Sequence, residues 1–115
     1  MIKSEDIRIG NYIDVNGIAQ VRGVTNGGVW IRNKAFVIMD FKGIPLTPEI
    51  LDKCGFEQDG EVIFNLPNTP AMVFCKDGIV DLYLYGHPIK KDIKYLHKLQ
   101  NIIYENIDTE LTITL

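Results

Sequence analysis

The sequence has no long apolar run, only two cysteines and a single serine, and each shortage excludes a class of protein. Its longest apolar stretches, such as residues 35–39, are far too short to cross a bilayer. The polar, charged N-terminus does not resemble a signal peptide. Ser4 lies close to that terminus, where a catalytic nucleophile would be poorly held. We therefore expect a cytoplasmic protein with no membrane association and no serine-based catalysis.

The few metal-binding side chains are badly spaced. Cys54, Cys75, His87 and His97 follow one another at intervals of 21, 12 and 10 residues, so none forms a close C-x-x-C or H-x-x-x-H pair. We expect both cysteines to be buried, reduced thiols, because disulfides are rare in the cytosol. There is no glycine-rich phosphate loop, and no nucleophile signature surrounds either cysteine. The sequence thus predicts no metal, no cofactor and no catalytic residue.

What the chain does contain is enough apolar sequence for one core. Apolar residues make up 46% of its 115 residues, including five Tyr and five Phe, which is typical of a globular protein. The formal net charge is −3, from 15 acidic and 12 basic residues, which argues against a general nucleic-acid coat protein. We expect a single domain over residues 1–115.

The N-terminal third alternates short strand patterns with turns. Apolar residues at 7, 9, 13 and 15 alternate with mostly polar ones, as in a half-buried strand. Asn16-Gly17 is a strong hairpin signal, because both residues tolerate the positive φ angles of a type I′ turn. Further strands are expected at 18–24, 29–31 and 35–39, with turns between them at 26–28 and 32–34. Four strands at this spacing predict a small curled sheet or an SH3-like barrel.

A short helix is predicted between Thr47 and Gly55. Thr47 caps its first free N–H groups, and Pro48 takes the first helical position, where its missing N–H costs nothing. Gly55 suits the left-handed residue that ends a helix, so Phe56 would fold back onto Leu51.

Antiparallel hairpins are predicted next. Alternation predicts strands at 62–66, 71–75 and 79–85, with Asp77-Gly78 as the turn between the last two. Residues 86–88 are expected to end the last strand.

The C-terminal part predicts an amphipathic helix and a closing strand. Asp92 is expected to cap a helix that runs to about Asn106, because apolar residues recur there at three- and four-residue steps. Alternation at 111–115 predicts the closing strand. The fold class predicted for the whole chain is therefore α+β.

Lysines recur every four residues along this predicted helix, at Lys90, Lys94 and Lys98, with Lys91 beside them. Residues 86–101 hold four lysines and one aspartate, so they carry +3 against −6 for the rest of the chain. Such segregation indicates either a phosphate-binding stripe or a solvated helix face. The stripe lacks arginine, whose planar fork makes bidentate contacts, and this favours the solvated face.

Two other features are candidate partner-binding residues. A polar strip lies beside the apolar face of the helix and consists of His97, Gln100, Asn101 and Tyr104. It predicts either a hydrogen-bonding surface for a partner or a border that ties down loop backbone, and the border is favoured. Trp30 alternates with Val29 and Ile31 and is either an exposed interface anchor or part of the core, with the core favoured.

Three stretches resemble one family. Residues 7–13, IRIGNYI, are similar to an LRIGN opening, and residues 44–56, IPLTPEILDKCGF, to an IPLT-x-E-x-L-x-K-x-GF pattern. Residues 95–101, YLHKLQN, with EL at 110–111, resemble the ending of the same family, although 102–106 depart from its aromatic-rich continuation. The family consists of small, functionally uncharacterised proteins of Bacteroidetes genomes and of their phages and prophages. The resemblance implies an intracellular bacterial or phage protein and no particular chemistry.

Two functions from different classes follow. The leading hypothesis is a non-enzymatic intracellular module that binds an unidentified protein partner through the polar strip and Trp30. The alternative is a nucleic-acid-binding accessory protein that uses the four lysines. An enzyme with a site assembled from distant residues stays open, and a deep pocket that pairs His97 or His87 with a carboxylate would support it.

Overall fold

The computed structural model describes residues 6–25, 28–31, 34–37 and 42–114. Every strand pair within them is antiparallel, and the helices are separate from the strands, which confirms the α+β class. In chain order the elements are β1 (Tyr12–Asp14), β2 (Ile18–Gln20), β3 (Gly23–Thr25), β4 (Gly28–Ile31), β5 (Lys34–Val37), α1 (Pro48–Lys53), β6 (Glu57–Asp59), β7 (Ile63–Asn65), β8 (Ala71–Lys76), β9 (Ile79–Leu84), β10 (His87–Ile93) and α2 (Leu96–Ile107). Across the described ranges, no helix is long and apolar enough to cross a membrane.

The N-terminal strands form two small sheets. β1 pairs with β2, while β3, β4 and β5 make a three-stranded sheet in that order. Asn16 and Gly17 have φ angles of 55° and 132°, which confirms the hairpin after β1. The turn at 26–27, the turn at 32–33 and the end of the strand at 38–39 lie outside the described residues. The SH3-like barrel stays a prediction.

The expected alternation through residue 9 is wrong. Ile7 and Ile13 are buried, but Ile9 is 57% exposed. Residues 9–10 form a turn in which Gly10 has a φ angle of 100°, so the strand begins only at Tyr12.

Helix α1 forms as its sequence predicts. The Thr47 side chain accepts a hydrogen bond from the Ile50 N–H at 3.2 Å, and Pro48 is the first helical residue. Gly55 has a φ angle of 93°, and the Phe56 N–H bonds back to the Leu51 carbonyl at 3.1 Å. Phe56 and Leu51 are both buried.

A five-stranded sheet, in the order β10-β9-β8-β7-β6, carries both helices on one face. Asp77 and Gly78 have φ angles of 54° and 77°, which confirms the β8–β9 hairpin. Alternate residues of β7, β8 and β9 are buried with the inward residues of α1 and α2 in one core. A smaller cluster lies under the N-terminal strands and contains Ile7, Ile13, Val21, Val29 and Ile31.

The structure corrects the start of α2. Asp92 does not cap it: the helix begins at Leu96, after Tyr95, and residues 87–93 form strand β10. Ile93 pairs with Val80, and the Asp92 N–H donates to Oδ1 of Asp81 at 3.0 Å. These pairings with β9 hold the segment extended. Strand β9 ends at Leu84, close to the predicted end, and Tyr85 and Gly86 form a further hairpin turn. What the sequence did not predict is that residues 87–93 continue as the strand β10.

The closing strand predicted for 111–115 is also wrong over 111–114, and Leu115 lies outside the described residues. Gln100 donates a side-chain hydrogen bond to the Leu111 carbonyl, and the Thr114 N–H bonds to the Lys53 carbonyl. These contacts with α2 and α1, instead of a neighbouring strand, hold the C-terminal segment over the core, where Leu111 is buried.

Candidate functional site

Gln100 lies at the centre of a buried polar network. Its Oε1 accepts a hydrogen bond from the Tyr12 N–H at 2.9 Å. Its Nε2 donates to the carbonyls of Gly10 at 3.1 Å and Leu111 at 3.0 Å. Because the side chain is fully buried and its amide bonds only to backbone, Gln100 fastens both ends of the chain to α2.

Asn101, one position along α2, fastens the N-terminal segment. Its Oδ1 accepts hydrogen bonds from Nε of Arg8 at 3.1 Å and Nδ2 of Asn11 at 2.8 Å. Its Nδ2 donates to the Asp6 carbonyl at 2.9 Å. The Arg8 guanidinium lies 4.3 Å from the centre of the Tyr104 ring, so the polar strip contacts residues 6–11 of its own chain.

The residues on which the family resemblance rests therefore meet in space. Residues 7–11, 97–101 and 110–111 supply this network, and Glu110 pairs with Arg8 at 2.8 Å. Residues 44–46 join them through the Leu96 N–H, which donates to the Ile44 carbonyl at 2.9 Å. In this arrangement Gln100 and Asn101 tie down loop backbone, which is the structural role that the sequence analysis favoured for them.

His97 is a buried ring in the first turn of α2. It is 1% exposed, and its plane lies 18° from that of Tyr95, with 6.0 Å between the ring centres. Within the described part of the chain, its Nδ1 has no hydrogen-bond partner. The pKa of His97 is lowered to about 4, mainly because the ring is buried and to a smaller extent because Lys98 is nearby. The negative charge of Asp6 has a smaller effect in the opposite direction. The ring is thus neutral at pH 7.

Trp30 is separate from the strip. It lies on β4 opposite Gly23 and is 43% exposed, so the core position favoured by the sequence is wrong. Val29 and Ile31, which point to the other face, are buried. The five predicted partner-binding residues therefore include two buried ones, His97 and Gln100, and one, Trp30, that lies on β4 instead of α2.

The lysines do not form a helical stripe. Lys90 and Lys91 lie on β10, Lys94 lies between β10 and α2, and only Lys98 is on the helix. Three of them nevertheless meet, because Lys90, Lys94 and Lys98 line one cavity of about 230 Å³. We call this cavity the lysine groove, and its other lining residues are Asp92, Ile93, Tyr95 and Ile102.

Two irregularities in β10 shape the lysine groove. The register with β9 shifts between Pro88 and Lys90 and again between Lys90 and Ile93. At the second shift Asp92 adopts a φ angle of 60°. Such bulges bend an edge strand and re-aim its side chains. A lysine on an edge strand also hinders pairing with other chains, so Lys90 has a structural use as well.

The electrostatics of the lysine groove favour an anion. Three lysines face one aspartate, and α2 begins with no side-chain cap and no acidic residue in its first turn. The positive end of the helix dipole, at Tyr95, is therefore not balanced by a nearby acidic side chain of that turn. Lys98 pairs with Asp6 at 3.1 Å, but that ion pair is exposed and weak.

The cysteines are two free, buried thiols. Burial raises the pKa of Cys54 to about 12 and also raises the pKa of Cys75. In the ranges that the structure describes, no three His, Cys, Asp or Glu side chains are grouped closely enough to hold a metal ion. His87 is exposed on β10, apart from both thiols.

Comparison with known proteins adds no relative: no family model, no curated protein and no solved structure matches this chain. The resemblance to the Bacteroidetes and phage family therefore stays a prediction, and the candidate site rests on geometry.

Proposed function

We propose that this protein is a non-enzymatic binding module whose lysine groove holds a segment of single-stranded nucleic acid. One observation carries the proposal: a strand, a linker and a helix each place a lysine on the same groove, beside a half-exposed tyrosine. Proteins that bind single strands combine these two elements, cations for the phosphates and an aromatic ring for a base.

Tyr95 favours nucleic acid over an acidic protein. Tyr95 lines the groove and is 41% exposed, and its ring stacks on His97 and lies against Gly43. A Cβ atom on Gly43 would lie only 2.7 Å from that ring, so the ring is closely backed. A rigidly held, accessible aromatic face is a platform for an unstacked base, whereas an acidic peptide needs only the lysines.

The shape of the groove favours an extended ligand. Its volume of about 230 Å³ is below the roughly 300–1,000 Å³ of typical small-molecule sites. It therefore holds one part of a longer chain rather than enclosing a metabolite. Ile93 and Ile102 add apolar side chains to its lining. Lysines contact phosphate as point charges, so we expect little sequence preference.

The test is a fluorescence anisotropy titration with a labelled single-stranded oligonucleotide of about 12 nucleotides. Three phosphate contacts predict that log K falls with log salt at a slope of about −2. Lys90→Ala, Lys94→Ala and Lys98→Ala should each reduce that slope by about 0.7. Lys91→Ala is the matched control: it removes the same charge from the same strand, outside the groove, and should leave the slope unchanged.

Two further arms test the kind of ligand and the place where it binds. Tyr95→Leu should weaken oligonucleotide binding about fivefold or more, through lost stacking, and should not affect binding of inorganic polyphosphate. The fluorescence of Trp30, the single tryptophan, should not change on binding, because it lies on β4. No binding at low salt, or equal losses for Lys91→Ala and Lys94→Ala, would contradict the proposal.

The cellular setting belongs to the same proposal. We place the protein in the cytoplasm of a bacterium or phage-infected cell, as an accessory factor of mobile elements. Free thiols at Cys54 and Cys75 suit a reducing compartment. The protein-partner hypothesis keeps one supporting observation, the exposed ring of Trp30.

A further inference from the structure

The five-stranded sheet has an outer face that neither helix covers. The inward residues of its strands lie in the core with α1 and α2, and the alternate residues point the other way. On β8 and β9 these outward residues include Met72, Phe74 and Tyr83, all of them only partly buried. Partly exposed aromatic rings at the middle of a sheet face are available for contact with another molecule.

A basin of about 450 Å³ lies on this face, and its floor is aromatic. Phe74 and Tyr83 meet edge to face, with 5.2 Å between ring centres and 72° between planes. We call it the acidic basin, because its rim holds three aspartates and one lysine; its lining residues are Val62, Phe74, Lys76, Asp77, Ile79, Asp81, Tyr83 and Asp92.

The turn and the bulge place two of the three aspartates at the basin, and a hydrogen bond positions the third. Asp77 is in the β8–β9 turn with a φ angle of 54°, and Asp92 is in the second bulge of β10 with a φ angle of 60°. Asp81 accepts the Asp92 N–H through one carboxylate oxygen at 3.0 Å, which leaves its other oxygen for a ligand. Among the residues described, these carboxylates are not grouped closely enough to hold a metal ion.

We propose that the acidic basin binds an arginine-containing basic segment of a partner protein. The rim supplies complementary charge, and the floor supplies ring faces over which a planar guanidinium stacks better than an ammonium does. The basin and the lysine groove are separate surfaces that meet at Asp92. The basin lies across β10 from that groove and shares only Asp92 with it, so the two surfaces hold ligands of opposite charge.

The experiment titrates the 115-residue chain against three labelled heptapeptides of equal length, with three Arg, three Lys or three Glu among Gly and Ser. We expect the Arg peptide to bind most tightly, the Lys peptide about threefold more weakly and the Glu peptide not at all. Asp81→Asn should weaken binding of the Arg peptide about threefold. The triple change Asp77→Asn, Asp81→Asn, Asp92→Asn should weaken it at least tenfold.

Asparagine is chosen because it tolerates the positive φ angles of positions 77 and 92, so the variants should keep their fold. Asp52→Asn, on the exposed face of α1, is the matched control and should bind like the wild type. Phe74→Leu should reduce the preference for Arg over Lys. Oligonucleotide binding should survive both Asp81→Asn and Phe74→Leu. A negative result for peptide binding to the acidic basin can therefore be told apart from a negative result for nucleic-acid binding to the lysine groove.

Three results would overturn the proposal. The first is equal binding of the Arg peptide by the wild type and the triple variant. The second is no binding of the Arg peptide at low salt. The third is concentration-dependent dimerisation that Asp81→Asn abolishes in sedimentation, which would make a second copy of the chain the occupant.

Discussion

The guanidinium of Arg8 donates two hydrogen bonds to the carboxylate of Glu110, which is 102 residues further along the chain, at 3.2 and 2.8 Å. A bidentate pair of this kind fixes both distance and orientation. It joins the segment before β1 to the segment after α2. With Gln100 and Asn101, it makes α2 the element to which both ends of the described chain are fastened.

We expect Glu110→Ala to lower the free energy of unfolding by about 1–2 kcal/mol, because each partner is 29% exposed and the pair is partly screened. Urea denaturation measures the change. Glu105→Ala, at an exposed position of α2, is the matched control and should change stability by less than about 0.5 kcal/mol. An equal effect of the two substitutions would contradict a stabilising role of the Arg8–Glu110 pair.

Replacement of Gln100 should lower the free energy of unfolding by more than Glu110→Ala does. Gln100→Leu keeps the volume of the side chain but removes the hydrogen bonds to the Tyr12 N–H and to the Leu111 carbonyl. It also removes the shorter of the two hydrogen bonds to the Gly10 carbonyl, which still accepts from Gln20. We expect a loss of about 2–4 kcal/mol in the same measurement. Gln58→Leu, on the exposed strand β6, should be nearly neutral. A stable Gln100→Leu variant would mean that the network contributes little to the fold.

His97 should make stability depend on pH. Its pKa is about 4 in the folded protein, against about 6.5 when unfolded, so between these values the unfolded chain binds more protons. The contribution of neutral His97 to the free energy of unfolding amounts to about 3 kcal/mol. It is complete above pH 6.5 and is lost as the pH falls toward 4.

The measurement is the difference in unfolding free energy between the wild type and His97→Leu at several pH values. Acidic side chains also titrate in this window, and the difference removes their shared contribution. His97→Leu should flatten the decline from pH 6.5 to 4, whereas His87→Leu, at an exposed site, should not. Parallel curves for wild type and His97→Leu would contradict the low pKa of His97.

The thiols should be unreactive in the native protein. Burial raises the pKa of both Cys54 and Cys75, so little thiolate is present at pH 8 and the sulfurs are inaccessible. A disulfide-exchange reagent should label both thiols at once in denaturant and only slowly without it. Fast native labelling of either residue would show that its strand or helix opens locally.

The sequence correctly predicted the elements whose ends are set by residues close to them along the chain. Thr47, Pro48 and Gly55 bound α1 because caps act within one turn, and Asp77-Gly78 forms a hairpin because two positive φ angles set the turn. The apolar periodicity of α2 was equally local, and Leu96, Leu99 and Ile103 are buried as predicted. His97 and Gln100 of the predicted polar strip are buried as well.

The remainder depended on contacts that no local pattern contains. The four-residue lysine spacing is typical of a helix, but pairing with β9 and two bulges make residues 87–93 a strand. Gln100 is buried only because its partners at positions 10 and 12 fold onto α2. The lysine groove could be predicted only in part: the charge excess was visible, but the convergence of Lys90, Lys94 and Lys98 needed the bend of β10.

The most direct test of the lysine groove maps the ligand on the protein. Amide chemical shifts of labelled protein are followed by NMR while a short single-stranded oligonucleotide is added at low salt. We predict saturable shifts at Lys90, Lys94, Tyr95, Lys98 and Ile102, and none at Trp30 or along α1. Shifts confined to β4 or to the acidic basin, or none at the lysines, would contradict the account.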